Sequence, residues 1–462
     1  MRPGLYGCSD TGVSFIHMKA YRAAILRFAT DCDPRHAAVF DEDGLLVVGA
    51  NDDGMQVVQA VGAYHALHDQ FPGVPIEHLP GRIIAPGFVD MHIHYPQTNV
   101  IGSPADGLLP WLENHTFPEE NRFATPEYSA QEATFFIAEL LRNGVTTALA
   151  FATSHTESVN ALFMEAQAHR MRLMTGLCLM DRNAPAYLLN RAATDGAADA
   201  TEQSLIDSEA LLQNWHGKGR LGYAITPRFA PSCSDAQLRG AGELAAKYPE
   251  AWIQSHVAEN KDEIAWARAL FPKSRSYLYT YADFGLMRKK SVYAHCIHFD
   301  DDDRMLMRET GAAAAVCPTS NLFLGSGFFD YAGADRVGFH YGLASDVGGG
   351  TSFSPFHTML AAYYVGREGQ TKPGLSLAAQ HLWWQHTAGA AQALGLDGLN
   401  GRAAVGNLQV GCEADFVVLN PQATPLLARR SARANSLDEL LFAMIVLGDD
   451  RLVEKTIISQ KL

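Results

Sequence analysis

The sequence predicts a (β/α)8 TIM barrel with a small β-sandwich domain, which the N- and C-terminal segments build together. Short apolar segments of strand length alternate with helical segments between residue 86 and about residue 395. Such alternation indicates a parallel sheet covered by helices, and eight repeats favour closure into a barrel. We therefore expect a flexible leader at 1–18, the N-terminal sandwich segment at 19–85, the barrel at 86–398 and the C-terminal sandwich segment at 399–462.

The segment before the barrel changes character after residue 18. Residues 1–18 are rich in glycine and weakly patterned. Apolar runs bounded by Asp and Gly then predict strands at Tyr21–Phe28, Ala37–Phe40 and Leu45–Gly49. Val61–Gln70 is a candidate short helix.

The barrel region contains eight segments that have the apolar composition of buried strands. Helical stretches such as Ser129–Asn143, Glu157–His169 and Asp235–Lys247 separate several of them. The predicted strands are Gly87–His92, Val145–Phe151, Arg172–Met180, Leu221–Pro227, Trp252–His256, Ser291–Ala294, Ala313–Cys317 and Gly342–Ser345.

The tail returns to β character at Gly411–Leu419 and Val453–Ser459. Each terminal β segment is too small to bury a core alone. We therefore expect the two segments to pair into one sandwich beside the barrel.

Composition excludes several classes of partner. The net charge is −14 at pH 7, whereas a nucleic-acid or anionic membrane partner would need an excess of Lys and Arg. No apolar stretch is long enough to span a membrane, and no secretory signal is evident. The 7 cysteines are irregularly spaced and form no CxxC motif, which favours reduced thiols in a cytoplasmic protein.

Metal-binding side chains stand where predicted strands end. His92 and His94 close strand one, His256 closes strand five, His295 closes strand six and Asp346 closes strand eight. The carboxyl ends of barrel strands share one face, where active sites are built. A lone histidine at a strand end is more often an ordinary polar residue, but this set of five is hard to explain as packing. The set predicts a metal site.

Zinc suits this donor set, because Zn²⁺ takes imidazole nitrogens and carboxylate oxygens and leaves one position open for water. His92 and His94 are two residues apart on a strand, so both side chains face the same side. Glu259, three residues after His256, is placed to shuttle a proton. Its alternative interpretation is an acidic residue in the first turn of a helix.

One metal ion is expected rather than two. Binuclear hydrolases on this fold usually carry a bridging lysine at the end of strand four, where this chain has Ile225-Thr-Pro-Arg-Phe229. His155, after strand two, is a candidate for a supporting role outside the ligand set. Other histidines, such as His65 and His169, fit surface or core positions.

The motifs resemble a known family. Pro86-Gly-Phe-Val-Asp-Met-His-Ile-His94 looks like the opening motif of the amidohydrolase superfamily, and the fuller match is to the guanine deaminase family within it. The similarity spans about residues 20 to 460. The segments that carry it are His92-Ile-His-Tyr-Pro-Gln97, Leu108-Leu-Pro-Trp-Leu-Glu113 with Thr116-Phe-Pro118, Ile225-Thr-Pro-Arg-Phe229, Cys317-Pro-Thr-Ser-Asn-Leu322 and Asp346-Val-Gly-Gly-Gly350.

The resemblance implies zinc-dependent hydrolysis of guanine to xanthine and ammonia, with one Zn²⁺ per subunit. The implied metal-site residues are His92, His94, His256, His295 and Asp346, and His295 is the first suspect for contacting the bound water instead of the metal. By the same resemblance, Glu259 would protonate the purine and the leaving ammonia, and Asp346 would take the proton from the water. His295 would be catalytic as well.

The resemblance also implies that Gln97, Arg228 and Phe229 bind guanine, with His256 beside them. A Gln amide matches a ring edge with both donor and acceptor, Arg donates to the C6 carbonyl oxygen, and Phe stacks on the ring. The alternatives are a structural salt bridge for Arg228, a rim hydrogen bond for Gln97 and core packing for Phe229.

The family implies a homodimer that acts on a small molecule in the cytoplasm, with no nucleic-acid or membrane partner. The first rival function is another deaminase or a chlorohydrolase of the superfamily, acting on a related purine or a triazine. A metal-free scaffold protein is the remote alternative, and the complete donor set argues against it.

Overall fold

The computed structural model describes residues 18–30, 32–189, 200–369, 377–398 and 404–459. Of the predicted leader, residues 1–17 lie outside these ranges. The strands of the described residues are Lys19–Phe28 (β1), Ala38–Ala50 (β2), Gln56–Ala63 (β3), Ile76–Pro86 (β4), Phe88–His94 (β5), Val145–Phe151 (β6), Arg172–Thr175 (β7), Cys178–Leu179 (β8), Leu221–Pro227 (β9), Trp252–Val257 (β10), Ser291–His295 (β11), Ala313–Val316 (β12), His340–Leu343 (β13), Phe416–Leu419 (β14) and Val453–Ile457 (β15).

Helices fill most of the intervals between the barrel strands and add cover at the C-terminal side. The α-helices of the described residues are Tyr64–Leu67 (α1), Leu108–Trp111 (α2), Phe117–Asn121 (α3), Pro126–Arg142 (α4), Thr156–Ala168 (α5), Ala200–Trp215 (α6), Asp235–Lys247 (α7), Lys261–Leu270 (α8), Tyr277–Asp283 (α9), Asp301–Thr310 (α10), Pro318–Phe323 (α11), Tyr331–Val337 (α12), Pro355–Glu368 (α13), Ala379–Gln385 (α14), Ala388–Ala393 (α15), Pro425–Ser431 (α16) and Leu437–Leu447 (α17).

The barrel strands pair in parallel in the order β5-β6-β7-β9-β10-β11-β12-β13, with β8 also paired to β9. The predicted (β/α)8 architecture is confirmed. Predicted strand three is split into β7 and β8. Gly176 lies at the break, where a Cβ atom would stand 1.8 Å from the carbonyl oxygen of Ala224. Only glycine allows the two backbones to approach so closely.

The seam between the first and last barrel strands is bridged at its carboxyl end. The backbone N–H of Asp346 donates to the carbonyl of His92 at 2.9 Å, and that of His94 donates to the carbonyl of Val347 at 2.8 Å. The buried Asp90 carboxylate accepts from the backbone N–H of Ser345 at 3.1 Å. These bonds hold the His92–His94 segment next to Asp346, which follows the last strand of the barrel.

The terminal segments form one six-stranded sheet in the order β15-β14-β4-β1-β2-β3. The C-terminal strand β14 pairs antiparallel with β4, so both ends of the chain contribute, as predicted. Separate apolar clusters cover the two faces of this sheet. The predicted helix at Val61–Gln70 begins too early, because Val61 still pairs with Leu46 in the sheet and helix α1 starts at Tyr64.

The described residues include no helix that is both long and apolar enough to cross a membrane.

Candidate active site

The five predicted metal-site residues come together at the carboxyl end of the barrel. His92 and His94 lie at the end of β5, His256 in β10, His295 at the end of β11 and Asp346 after β13. All five are buried or nearly so, with His92 and His295 each 1% exposed. The sequence folds this way because consecutive parallel strands bring their carboxyl ends to one face.

The backbone is strained at two of these positions. His295 has φ 77° and Asp346 has φ 51°, values in the left-handed region that residues with a Cβ rarely adopt. Cys296 and Ala258, next to the site, share this conformation with φ 51° and φ 50°. Strain of this kind costs about 1–3 kcal/mol per residue and persists where the surrounding structure aims a side chain.

The imidazole Nε2 atoms converge on one point. His94 Nε2 lies 3.1 Å from the Nε2 atoms of both His92 and His256. Asp346 Oδ1 lies 3.2 Å from His92 Nε2 and 3.3 Å from His94 Nε2. His295 Nε2 is farther away, 3.8 Å from Asp346 Oδ2 and 3.3 Å from Glu259 Oε2.

The histidine rings are oriented by bonds to their other nitrogen. The Nδ1 of His256 donates to the carbonyl of Arg228 at 2.6 Å, and the Nδ1 of His295 lies 2.9 Å from Asn321 Oδ1. These bonds turn both Nε2 lone pairs toward the cluster. Burial lowers the pKa of His94 to about 4 and holds the pKa values of His92 and His256 below their usual range. The rings are therefore neutral and able to bind a cation.

A zinc ion fits this arrangement. The Nε2 atoms of three neutral imidazole rings lie close together. A neutral ring has only one N–H donor, so hydrogen bonds between the rings can account for only some of these contacts. Tetrahedral Zn²⁺ with Zn–N bonds of about 2.0–2.1 Å holds its ligand atoms about 3.3 Å apart. The observed 3.1–3.3 Å separations among His92, His94, His256 and Asp346 match this value.

Cys317 is a residue of this cluster that was not among the predicted metal-site residues. Its sulfur belongs to a second compact group with His92, His295 and Asp346, whose donor atoms lie within 4.8 Å of one another. The position directly after a barrel strand was the available signal. His155 occupies the N-cap position of helix α5 without a side-chain capping bond. Among the described residues, its Nε2 has no hydrogen-bond partner.

Glu259 lies between the histidine cluster and a helix. Its Oε1 accepts from the hydroxyl of Ser326 at 3.1 Å, and the side chain is 3% exposed. Burial and the nearby charge of Asp346 raise the pKa of Glu259 to about 8. A carboxyl group in this range can hold and release a proton near neutral pH. Helix α8 begins two residues later at Lys261, so Glu259 is not part of its first turn.

A cavity opens over the cluster. Leu108, Trp111 and Leu112 are among the residues that line it. The segment that holds them is helical: α2 continues into a helical turn at Leu112–Thr116. The remaining lining residues are His94, Gln97, Arg228, Phe229, His256, Glu259, Glu263, His295, Leu324, Asp346 and Gly349.

The predicted substrate contacts Gln97, Arg228 and Phe229 all line this cavity. Arg228 also makes a buried salt bridge, donating from Nη1 and Nη2 to the two carboxylate oxygens of Glu120 at 2.5 and 2.9 Å. The salt bridge and the pocket position therefore occur together. Phe229 packs edge-on against Trp266, with ring centroids 5.8 Å apart.

Sequence analysis missed two buried acids. Glu120 lies two residues after the Thr116-Phe-Pro118 motif, and that proximity was the signal available. Glu263 lines the cavity and accepts from the hydroxyl of Tyr277 at 2.7 Å. Its carboxylate also accepts from the backbone N–H of Glu259 at 3.1 Å, which holds the chain that carries Glu259.

Comparison with known proteins gives this arrangement a class. Residues 83–462 match the model of the amidohydrolase family, so the barrel and its histidine–aspartate cluster define an amidohydrolase. The chain is 42% identical to guanine deaminase of Escherichia coli (strain K12) over 424 residues, 92% of this chain and 91% of that protein.

Solved structures give the same result. Guanine deaminase from Bradyrhizobium japonicum matches with a TM-score of 0.87 at 34% identity, covering 96% of this chain and 98% of that one. The enzyme from C. acetobutylicum, solved with guanine in its active site, matches with a TM-score of 0.84 at 30% identity, covering 96% and 98%. The chain belongs to the amidohydrolase family, among the guanine deaminases, and the resemblance of its motifs is confirmed.

Proposed function

We propose that this protein catalyses the hydrolytic deamination of guanine to xanthine and ammonia. The observation that carries the proposal is one cavity in which Gln97 and Arg228 face the histidine–aspartate cluster. The similarity to guanine deaminases over 92% of the chain supports it, as does the relative with bound guanine. A flat polar ring held between the two sets of residues would present its amino-bearing carbon to the metal site.

His92, His94, His256 and Asp346 would hold one zinc ion per subunit. The ion would lower the pKa of a bound water to about 7 and so supply a nucleophile at neutral pH. One ion is proposed because Arg228, not a lysine, follows β9. His295, whose Nε2 stands apart from the other three rings, is suited to hold the attacking water in line.

Proton transfer is assigned to two carboxyl groups. Asp346 accepts the proton that the water loses. Glu259 donates a proton to the purine ring nitrogen beside the reacting carbon as the water oxygen bonds to that carbon. It then takes the proton of the new hydroxyl group and passes it to the amino group, which leaves as ammonia when the C–N bond breaks and the hydroxyl becomes a carbonyl. The proton held by Asp346 restores Glu259. Its raised pKa of about 8 keeps a proton available at neutral pH, as a general acid requires.

Ring recognition is assigned to Gln97, Arg228 and Phe229. An arginine has five N–H donors, and the pair with Glu120 uses two of them, so Arg228 can still donate to the C6 carbonyl oxygen. Adenine presents a donor at that position, so the remaining N–H donors of Arg228 would have no acceptor on the ring. Adenine binding is therefore disfavoured. Phe229 supplies an apolar face for stacking.

Turnover of guanine tests the proposal. The purified protein, loaded with zinc, should convert guanine to xanthine with release of one ammonia. Chelation should abolish turnover, and added zinc should restore it at about one ion per chain. Absence of guanine turnover in metal-replete protein, together with turnover of a triazine or another purine, would assign the chain to a different reaction.

The family resemblance also supports a homodimer in the cytoplasm. Light scattering of the purified protein tests the assembly, with twice the chain mass of 50.3 kDa as the expected result. A monomeric mass at working concentration would contradict it.

A further inference from the structure

Glu120 binds Gln97 and Arg228, the two polar residues proposed to recognise the purine ring. It lies in helix α3 and is only 1% exposed. Its carboxylate accepts two hydrogen bonds from Arg228, at 2.5 and 2.9 Å, and a third from Gln97 Nε2 at 3.2 Å. Three separate segments of the chain, the turn after β5, helix α3 and the end of β9, therefore meet at one buried carboxylate.

The pair removes the net charge that Arg228 would otherwise bring to the cavity. Arg228 is 4% exposed, so water does little to screen its guanidinium. An unpaired buried cation attracts anions strongly, because the surrounding dielectric constant is low. With both carboxylate oxygens of Glu120 bound to it, the guanidinium keeps free N–H donors but presents little net positive charge to a ligand.

Glu120 also fixes the direction of the Gln97 amide. The Nε2 of Gln97 donates to Glu120, while its Oε1 accepts from the backbone N–H of Gly348 at 3.3 Å. An amide held at both ends cannot rotate to suit a different ring edge. The orientation of donors and acceptors in the cavity is thus set before a ligand enters.

We propose that Glu120 is a specificity-determining residue that makes the cavity bind neutral purine rings and release anionic ones. The inference rests on the proposed function and concerns its product. Xanthine has a carbonyl where guanine has an amino group, and its ring loses a proton more readily. A cavity with an unpaired Arg228 would retain the xanthine anion, whereas the neutralised pair lets it leave.

Direct binding of xanthine tests this idea without requiring turnover. Calorimetric titration of the zinc-loaded protein would be done at one pH where xanthine is neutral and one where it is anionic. Glu120→Gln keeps the size of the side chain and removes its charge. The quantity compared is the ratio of the Kd for the xanthine anion to the Kd for neutral xanthine. We expect this ratio to be about tenfold lower in Glu120→Gln than in the unmodified protein.

Arg228→Gln is the mirror variant, since it leaves Glu120 as an unpaired buried anion. It should weaken binding of the xanthine anion more than binding of neutral xanthine. The double variant Glu120→Gln with Arg228→Gln removes both charges and should return the ratio of the two Kd values close to the original. If Glu120→Gln alone does not fold, the mirror and double variants still give the comparison.

Glu119→Gln is the matched control. Glu119 neighbours Glu120 in the same helix, but its carboxylate accepts from Asn99 at 3.1 Å and from Arg122 at 3.1 Å, and it does not line the cavity. Its ratio should match that of the unmodified protein. Equal weakening of neutral and anionic xanthine by Glu120→Gln would overturn the proposal and leave Glu120 a purely structural role. Guanine turnover by the unmodified protein, measured separately, shows whether the proposed function itself holds.

Discussion

Replacing the carboxyl group of Glu259 by an amide tests its role in proton transfer. Glu259→Gln keeps the shape and the acceptor for Ser326 but cannot deliver a proton. We expect kcat for guanine to fall by about 10² or more, with zinc content and melting temperature unchanged. Steady-state kinetics with metal analysis measures this.

The matched control for that variant is Glu113→Gln, which removes an exposed acid next to the cavity-lining Leu112 and should leave kcat close to normal. A Glu259→Gln enzyme with near-normal kcat would refute the proton-transfer role.

Phe229 offers a test of ring stacking. Phe229→Leu keeps an apolar side chain beside the cavity but removes the aromatic face. An aromatic pair contributes about 0.5–1.5 kcal/mol beyond its buried area, so kcat/KM for guanine should fall about three- to tenfold. The loss should be in KM, because stacking holds the ring before and during the reaction alike. An unchanged KM would show that Phe229 only packs against Trp266.

The residues of the site differ in how visible they are in the sequence. His92, His256, His295 and Asp346 lie near or just after the carboxyl ends of strands, so the barrel itself predicts their convergence. Glu120 comes from a five-residue helix in the long connection between β5 and β6. The position of such a connection depends on tertiary packing and not on local pattern, so its buried carboxylate could not be placed from the sequence.

His386 connects two elements of the barrel. It ends helix α14, its Nδ1 donates to the carbonyl of Val89 in β5 at 3.0 Å, and its own carbonyl accepts from the N–H of Val89 at 2.9 Å. Burial lowers the pKa of His386 to about 4, from an ordinary value of 6.5. The unfolded chain therefore binds a proton more readily than the folded one between these two values.

This difference predicts a pH dependence of stability. The neutral His386 contributes fully above pH 6.5, and its contribution is lost as the pH falls toward 4, by up to about 3 kcal/mol. His386→Asn keeps a donor for Val89 but does not titrate. Its free energy of unfolding, measured by denaturant titration, should fall less steeply across this range. His65→Asn, at an exposed position, should follow the unmodified protein. Parallel curves for His386→Asn and the unmodified protein would contradict the prediction.

Elements with a regular hydrophobic pattern could be predicted from the sequence. Elements whose conformation depends on close approach between separate parts of the chain could not. The eight barrel strands have continuous apolar runs that survive as strands or, at Gly176, as two pieces of one. The Leu108–Leu112 segment contains a proline, and no helix was predicted there. Its proline stands within the first turn of α2, where its missing N–H costs no helical hydrogen bond, so the segment is helical.

At the scale of the whole molecule, a buried ion cluster joins the barrel to the terminal sheet. Arg220, just before β9, pairs with Glu413 at 2.6 Å and with Asp415, both just before β14. Arg172 in β7 also pairs with Glu413. The Asp415 carboxylate further accepts from the backbone N–H of Ser459 at 2.8 Å. These ion pairs thus connect the two sheets at the face of the barrel opposite the candidate metal site.

Breaking this cluster should destabilise both sheets together. Arg220→Ala would leave Glu413 with only Arg172 and Asp415 without a cation, in surroundings where both acids are at most 5% exposed. Loss of one partner from a buried pair costs about 3–5 kcal/mol, so the denaturant midpoint should drop sharply while unfolding stays a single transition. Arg336→Ala is the control, because Arg336 pairs with Asp301 at 2.7 Å with side chains 60% and 55% exposed, and such pairs contribute about 1 kcal/mol or less. If Arg220→Ala lost no more stability than this control, the cluster would not be what holds the two sheets as one unit.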